Sequence, residues 1–416
     1  MKKLAIVGAG AAGVFCAAAL KKSQNLDVRI YEASGKPLQK LLLTGGGRCN
    51  FTNLNVDKNI PREFYPRGAS AIRKSLLRFG ARAAIEFFEK LGVKSKVESG
   101  GRVFPESDKA EDVAEALTAA ALRNGAVFEL GSRVKSISKV GDKFELACGR
   151  FNGDDFSSSA DAVMVCVGGN WNGSLRKSLE AFGHSFESAA PSLFSMKLDA
   201  SETSDWRDLS GISVPCAKLS ACLANGKFSA EGALLLTHFG IGGPSVLKLS
   251  SFGARAFAAE NYAFELSINF APNLRADMDA AFAVARLDSP KKSVLNIPMF
   301  NIPKALWAYL CGVSGIEENC TMANFPLSKQ KVLIGNIVNF KAKVSGKSSH
   351  KEEFVTCGGL KLDQIDFSTM QSRLVPNLYF AGECLDIDGI TGGFNLQAAW
   401  TGAKVAAENI EKTLIF

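Results

Sequence analysis

The chain has 416 residues, of which 47% are apolar, so it is long enough for two or three domains with large buried cores. That apolar fraction excludes intrinsic disorder, and a mean hydropathy of +0.07 excludes a protein that crosses the membrane many times. The formal charge of +8 is unevenly distributed, because residues 1–102 hold 19 Lys or Arg against 7 Asp or Glu, a net charge of +12. This basic segment fits a nucleic-acid surface, a site for a phosphate-bearing ligand, or solvated helix surfaces.

The first 32 residues admit two interpretations. Lys2 and Lys3 ahead of an apolar run resemble a secretory signal. The same residues also read as a strand at 4–7, three glycines with GxGxxG spacing, an Ala-rich helix ending near Lys22, and a second strand at 28–31. This order of parts favours a dinucleotide-binding βαβ unit over the signal peptide.

The parts of this unit have separate physical roles. Gly8 permits the tight turn, Gly10 lets the backbone approach a pyrophosphate, and Gly13 lets the helix pack on the strand. Free N–H groups and the positive dipole end of the helix attract the phosphates. Glu32, at the end of the second strand, can accept hydrogen bonds from ribose hydroxyls and disfavours a 2′-phosphate, which predicts FAD or NAD rather than NADP.

A glycine-rich loop follows within the polar residues 33–69. Gly45, Gly46 and Gly47 precede Arg48, Cys49 and Asn50, so backbone N–H groups can line a ligand closely; a flexible turn is the alternative. Residues 69–91 have the periodicity of one amphipathic helix, which carries five Lys or Arg and predicts a solvated basic face.

The pattern changes to strands between residues 126 and 167, with a hairpin turn at Gly141-Asp142 and a glycine pair, Gly168-Gly169, after the last strand. Eight of the 13 prolines then fall between 191 and 356, which predicts an inserted domain. In that domain a strand at 234–237 leads into His238, a candidate proton donor or substrate ligand; a structural histidine is the alternative.

The end of the chain repeats the pattern of its beginning. A strand at 378–381 leads to Gly382 and Glu383, and Gly393 opens a helix that runs to about Ile410. The chain therefore returns to complete the first domain, which gives a first FAD-domain segment at 1–190, an inserted barrel-like and helical domain at 191–356, and a returning segment at 357–416.

Ten cysteines are spread along the chain without a CxxC pair, which predicts reduced, mostly buried thiols and a cytoplasmic location. The three histidines, at 184, 238 and 350, form no zinc ligand set with them, so no metal site is predicted.

These motifs resemble the single-Rossmann FAD flavoproteins of the NAD(P)/FAD-dependent oxidoreductases, a group that includes aminoacetone oxidases and a reductase of the bile-acid dehydroxylation pathway. The matching segments are GAGAAG at 8–13, TGGGRCNFTN at 44–53, GRVFPESDKAEDV at 101–113, the segment 234–250, and LYFAGECLDIDGITGGFNLQAAWTG at 378–402. One departure is Phe394, which stands where the family more often has Tyr.

The resemblance implies an α/β fold: a discontinuous, glutathione-reductase-like Rossmann FAD domain with an inserted β-rich plus helical domain. It also implies FAD contacts around the pyrophosphate, the adenosine, the ribityl chain and the flavin, from Gly8, Gly10, Ala11, Ala12, Gly13, Glu32, Ala33, Lys40, Gly45, Gly46, Arg48, Cys49, Asn50, Val134, Gly168, Gly382, Glu383, Gly393, Asn395 and Leu396. A helix beginning at Phe394 would stabilise the negative charge of reduced flavin near N1 and O2.

We therefore expect an FAD-dependent oxidoreductase that passes a hydride between a small or medium organic substrate and flavin N5. Only one GxGxxG unit is present, so either NADH or NADPH shares a cleft with the substrate, or oxygen closes the cycle. Disulfide-reductase chemistry is disfavoured because Cys49 is alone in its loop. His238 and Arg48 are the candidate catalytic residues, with Arg48 orienting an anionic substrate.

Two other functions stay open at this point. A nucleic-acid-binding or RNA-acting flavoprotein would use the basic segment, but residues 1–102 contain no Trp for base stacking, which disfavours nucleic acid as a partner. A flavin-binding protein without turnover is the other. No membrane partner is expected, and the sequence leaves the oligomeric state open.

Overall fold

The computed structural model describes residues 1–58, 61–169, 173–199, 205–274, 277–348 and 355–415. The chain divides into two compact units: the first contains Met1–Ala190 and Val355–Phe416, and the second contains Pro191–Phe354. The return to the first unit thus lies two residues before the boundary predicted from the sequence.

The amino-terminal part of the first unit contains eleven strands and six helices within its described residues. Its strands are β1 (Lys2–Val7), β2 (Leu26–Tyr31), β3 (Thr52–Asn53), β4 (Ser95–Val97), β5 (Arg102–Pro105), β6 (Ala126–Glu129), β7 (Ser132–Val140), β8 (Lys143–Arg150), β9 (Asp155–Ala160), β10 (Ala162–Val165) and β11 (Phe186–Ser192). Its helices are α1 (Ala11–Ala19), α2 (Gln39–Leu43), α3 (Ala69–Arg78), α4 (Ala81–Lys90), α5 (Ala110–Arg123) and α6 (Ser174–Ala181).

The second unit is built on strands β12 (Met196–Leu198), β13 (Ser213–Leu223), β14 (Gly226–Thr237), β15 (Gly240–Gly242), β16 (Phe264–Asn269) and β17 (Phe340–Lys347), with helices α7 (Pro244–Ala259), α8 (Met278–Asp288), α9 (Lys304–Val313) and α10 (Leu327–Val338). The six strands close a barrel in the order β12-β15-β14-β13-β16-β17. Alternate barrel residues such as Leu219, Leu234 and Ile268 are fully buried and share one hydrophobic core with Trp307 of α9. The β-rich and helical character predicted for this region is confirmed.

The chain then re-enters the first unit through β18 (Val355–Leu360), β19 (Ile365–Asp366), β20 (Gln371–Ser372), β21 (Leu378–Phe380) and α11 (Phe394–Leu414). A seven-stranded sheet in the order β19-β20-β21-β10-β1-β2-β6 forms its centre. Strands β21, β10, β1, β2 and β6 run parallel, so the carboxyl ends of β1, β2, β10 and β21 share one edge. The predicted Rossmann fold is confirmed, and ligands bind such sheets at that edge.

Besides a two-stranded sheet of β11 and β18, two smaller sheets lie in the described part of the first unit. Strands β7, β8 and β9 form an antiparallel sheet whose β7–β8 hairpin turns at Gly141-Asp142, as predicted. Strands β3, β5 and β4 form the other, and β3 follows directly after the glycine-rich loop.

The prediction of one helix over residues 69–91 is wrong. Helix α3 ends at Arg78 and α4 begins at Ala81, with Phe79 and Gly80 between them. The Asp57 side chain accepts hydrogen bonds from the N–H groups of Ala81 (2.8 Å) and Arg82 (3.2 Å) and so caps α4. A Cβ at Gly80 would lie 2.3 Å from Asp57 Oδ1, so a larger residue at this junction would displace the capping carboxylate.

His184 makes stability depend on pH. The imidazole is buried, with Nδ1 3.2 Å from the Leu179 carbonyl and Nε2 2.8 Å from Ser372 Oγ, and its burial lowers the His184 pKa below the usual 6.5. The unfolded chain therefore binds the proton more readily than the native protein, so this contribution to stability is present above about pH 6.5 and falls as the pH drops.

We expect the free energy of unfolding of the wild type to fall more steeply than that of His184→Asn between pH 6.5 and 5, by at most about 1.4 kcal/mol per pH unit. Urea unfolding at several pH values measures both slopes. Parallel slopes would show that His184 does not titrate differently in the two states.

Within the described residues, no helix combines the length and the apolar character needed to cross a bilayer. The same residues contain no group of three or more His, Cys, Asp or Glu side chains able to hold a metal ion. The cytoplasmic location stays a prediction.

Candidate functional site

The turn between β1 and α1 has the geometry of a pyrophosphate-binding loop. Gly8 has φ +104°, and a Cβ there would lie 2.5 Å from the Cys166 carbonyl oxygen; a Cβ at Gly13 would lie 2.0 Å from the Gly8 carbonyl oxygen. A Cβ at Gly10, in contrast, would meet no described atom within 4 Å. The first and third glycines are therefore required by packing, whereas the second leaves open space in front of the helix.

Helix α1 leaves its amino terminus available at this space. Gly10 is its N-cap, and among the described residues no side chain bonds its first N–H groups, which belong to Ala11, Ala12 and Gly13. Unpaired N–H groups and the helix dipole together attract a phosphate.

Glu32 is fixed at the carboxyl end of β2. One carboxylate oxygen accepts a hydrogen bond from the Ala9 N–H (2.8 Å) and the other accepts from the Ser34 N–H and hydroxyl (both 2.8 Å). The Ser132 N–H at the start of β7 bonds the Glu32 carbonyl, which brings the buried Val134 backbone into this neighbourhood. The Glu32 carboxylate and the Val134 backbone together fit an adenosine ribose. Ala33 follows Glu32 in the chain and so lies beside it.

The glycine-rich loop is built from left-handed residues. Gly45, Gly46 and Gly47 have φ of +61°, +70° and +85°, and Cys49 has φ +59°. The Cys49 N–H bonds the Thr44 carbonyl at 2.9 Å, so the loop curls back on itself. Gly46 and Gly47 face open space, in which a ligand can contact their backbone.

Cys49 is not a thiolate in this loop. Its side chain is fully buried, and burial raises the pKa of the thiol to about 12. A neutral thiol without a second cysteine in its loop supports the expectation that disulfide exchange is not the chemistry of this site.

Arg48 lies in a cluster of ionised side chains. Its Nε lies 2.8 Å from Asp108 Oδ1, its guanidinium also pairs with Glu98, and it lies over the Phe104 ring at 4.1 Å. Hydrogen bonds from Lys96 and Arg48 lower the Asp108 pKa, and the bond from Arg48 lowers the Glu98 pKa. The donors of Arg48 thus serve two carboxylates, which fixes the loop; a role in orienting substrate stays a prediction.

Asn50 carries a buried polar atom that lacks a partner. Its side-chain oxygen is buried and makes no hydrogen bond with any described residue, and a Cβ at Gly393 would lie 3.0 Å from it. A Cβ at Gly45 would lie 2.8 Å from the Asn50 backbone nitrogen. Asn50 therefore lies between the glycine-rich loop and the start of α11, and the unsatisfied amide marks a place prepared for a polar ligand.

A second charged pair stands where β10 and β21 end. Lys40 Nζ lies 3.2 Å from Glu383 Oε2, and Glu383 Oε1 accepts a hydrogen bond from the Thr356 N–H at 2.9 Å. A Cβ at Gly168 would lie 3.6 Å from Glu383 Oε2, and Gly382 has φ +81°. Residues predicted from three distant motifs are thus brought together at the ligand-binding edge of the sheet.

Helix α11 begins with a free amino terminus. Gly393, its N-cap, has φ +97°, and no side chain in the part of the chain that the structure describes bonds the first N–H groups. The Asn395 side chain exchanges two 2.8 Å hydrogen bonds with the Gly389 backbone, so it holds the preceding loop while its own N–H and that of Leu396 stay in the first turn. Phe394, the residue that replaces Tyr, is only 3% exposed.

Residues that no sequence motif indicated hold this site together. Gln397, fully buried, donates to the Phe79 carbonyl and accepts from the Thr52 hydroxyl, while Asn53 donates to the Gly392 carbonyl. The only signal in the sequence was a polar residue among apolar ones in a helix, which does not name its partner.

His238 belongs to the second unit, between β14 and β15. Its side chain is exposed and its ring lies 5.0 Å from that of Phe239. The structure describes the surroundings of His238 only within the second unit. The predicted catalytic role of His238 therefore stays a prediction.

The fold and the site define the class of protein: a Rossmann enzyme whose two uncapped helix termini, open glycine backbones and unsatisfied Asn50 amide fit a flavin dinucleotide. The model of the HI0933-like protein Rossmann domain family matches residues 2–409. The chain is 29% identical over 97% of each chain to a ribosomal RNA dihydrouridine synthase of Escherichia coli, and 30% identical over 98% to one of Haemophilus influenzae. It is also 27% identical over 98% of each chain to a 3-dehydro-bile acid delta(4,6)-reductase of Clostridium scindens.

The chain belongs to the HI0933-like family. It is an FAD-dependent oxidoreductase, which confirms the class and the cofactor expected from the sequence.

Proposed function

We propose that this protein reduces a carbon–carbon double bond that is conjugated with a carbonyl group. The observation that carries the proposal is the chemistry shared by the names of its relatives. Dihydrouridine is uridine with its ring double bond, next to a carbonyl, reduced; a 3-dehydro-bile acid delta(4,6)-reductase acts on double bonds in conjugation with a ketone. Reduced FAD, when bound, supplies a hydride from N5 to the far carbon of such a bond, while a proton is added to the carbon next to the carbonyl.

The described residues have complementary tasks in this reaction. The open backbone at Gly10 and the terminus of α1 would bind the pyrophosphate, and Glu32 would bind the adenosine ribose. The terminus of α11 would provide positive potential at the pyrimidine end of the flavin and so favour the reduced form that the reaction needs. NADH or NADPH is the proposed electron donor.

A uracil ring in RNA is the first substrate to test, because two relatives of 29% and 30% identity are named for ribosomal RNA. A small conjugated ketone or acid is the second, and the charge distribution supports it. Cations of the basic segment pair with acids of later segments, as in Lys2–Asp161, Arg29–Glu129 and Arg78–Glu408, which reduces the charge left for a nucleic acid.

An anaerobic assay separates these substrates. The purified protein is reduced with NADH or NADPH, and unmodified ribosomal RNA, free uridine and a conjugated cyclic ketone are added separately. Reoxidation of the flavin by RNA, with a gain of two hydrogens in a uridine by mass spectrometry, would support the RNA substrate, and reoxidation by the ketone alone would support the small molecule. If none of the three reoxidises the flavin and only oxygen admitted afterwards does, the proposed reduction is refuted.

The predicted role of His238 is tested on the same protein. We expect His238→Ala to keep bound FAD and to slow hydride exchange between substrate and flavin by about 100-fold, the usual contribution of a general acid or base. Rapid mixing in a single turnover measures the rate, and Leu235→Ala, an exposed position on β14, serves as the control. An unchanged rate would remove His238 from the catalytic residues.

A further inference from the structure

A short segment of the first unit grips the loop in front of α11. We name Phe64–Gly68 the clamp segment and Asp386–Gly393 the pre-α11 loop. Neither the resemblance nor the FAD contacts inferred from it include the clamp segment.

The central contact of the clamp is a buried ion pair. The Arg67 guanidinium pairs with both carboxylate oxygens of Asp388, through Nε and Nη2. The side chain of Arg67 is 11% exposed and that of Asp388 is 0% exposed. The backbones of the same two residues also form an isolated β-bridge, so the side-chain pair and the main chain fix the same register.

Four further contacts join the clamp segment to the pre-α11 loop and to the first residue of α11. The Ile390 N–H bonds the Phe64 carbonyl at 2.8 Å, and the Tyr65 hydroxyl donates to the Phe394 carbonyl at 2.8 Å. The rings of Phe64 and Phe394 stack at 4.6 Å and 7°. A Cβ at Gly68 would lie 2.5 Å from the Ile387 side chain, so the two segments are in close contact.

An ion pair at this depth is a poor source of stability. Removing two charges from water costs free energy, and the attraction between the charges does little more than offset that cost. Apolar side chains of similar volume would pack as well. The pair does fix geometry, because a bidentate guanidinium–carboxylate contact has a defined direction. Asp388 lies six residues before the start of α11, whose first N–H groups receive no side-chain cap from the described residues.

We propose that Arg67 is a positioning residue whose ion pair with Asp388 holds the start of α11 against the flavin and thereby raises the reduction potential of the bound FAD. The inference rests on the placement of the flavin pyrimidine at α11 used in the proposed function. A helix terminus stabilises a negative charge only within its first turn, so a small displacement of the pre-α11 loop weakens that stabilisation.

Redox titration of the purified holoprotein against a reference dye tests the proposal without any substrate. At a fixed potential, we expect Arg67→Met to lower the ratio of reduced to oxidised FAD by about tenfold, within the range of a helix-dipole contribution. Arg67→Lys keeps the charge without the bidentate geometry and should recover part of this loss. Arg78→Met is the matched control, because Arg78 pairs with Glu408 near the other end of α11.

A wild-type potential in Arg67→Met would overturn the proposal, even if its melting temperature fell, since a purely structural role predicts that result. Should Arg67→Met fail to fold because the buried Asp388 loses its guanidinium partner, Arg67→Met/Asp388→Leu removes both charges. It should fold and show the same lowered ratio, and a wild-type ratio there would equally overturn the proposal. Because no substrate is used, failure here leaves the proposed reduction of a double bond to be judged by its own assay.

Discussion

Replacing Gly10 by alanine should abolish tight FAD binding while leaving the apoprotein fully folded. Gly10 has φ −80° and ψ −170°, which alanine adopts readily, and its Cβ would meet no described atom within 4 Å. The methyl group would instead occupy the space in which a pyrophosphate approaches the start of α1. We expect the dissociation constant for FAD to rise about 100-fold, or about 2.8 kcal/mol.

The measurement is a titration of apoprotein with FAD, followed by flavin fluorescence, together with urea unfolding of both apoproteins. Alanine should hold or raise the stability of the apoprotein, by about 0.4–1 kcal/mol, because it restricts the unfolded chain. Wild-type FAD affinity in Gly10→Ala would show that the cofactor does not pass this backbone.

Gly13→Ala should have the opposite effect. It should lower the stability of the apoprotein itself, before FAD is added. The Cβ of the alanine would lie 2.0 Å from the Gly8 carbonyl oxygen. The oxygen belongs to the backbone, to which the Cβ is directly bonded, at a buried helix–strand junction, so neither atom can move alone. Forcing a methyl group into such a site costs about 3 kcal/mol. For a unit of this size that lowers the melting temperature by roughly 6–12 °C.

Thermal unfolding of the apoproteins separates the two variants, with Gly10→Ala as the control for loss of glycine in the same loop. A Gly13→Ala apoprotein that melts with the wild type would contradict the packing described here. The two substitutions together therefore distinguish a glycine that serves the ligand from one that serves the fold.

The excess positive charge of residues 1–102 is interpreted differently once the fold is known. The basic segment 1–102 looks like an unbalanced surface when counted along the chain, with a net charge of +12. In the fold, its cations meet acids from later segments, in the pairs Lys2–Asp161, Arg29–Glu129, Lys40–Glu383, Arg48–Asp108, Arg67–Asp388 and Arg78–Glu408. Charges that are separate in sequence are adjacent in space, so the surplus is not by itself evidence for a nucleic-acid surface.

The helix break at Gly80 shows the limit of periodicity. Residues 69–91 keep one amphipathic pattern across the break, because α3 and α4 each bury one face. The carboxylate that caps α4 comes from Asp57, more than twenty residues earlier, which no local pattern of the helix records. Arg48 is similar, since its partners Glu98 and Asp108 lie far along the chain from the loop that suggested a substrate contact.

The sequence alone determined the Rossmann unit and the return of the chain, whereas the flavin dinucleotide was implied by the resemblance to FAD flavoproteins and not by the local order. The unit and the return depend on local order: a strand, glycines at fixed spacing, a helix, and an acid at the end of the next strand. The tertiary structure decided which glycine faces the ligand, which carboxylate holds each arginine, and how Phe64–Gly68 fixes the start of α11. These depend on contacts between residues up to about 330 positions apart, as between Tyr65 and Phe394, whose pairing follows from the fold as a whole.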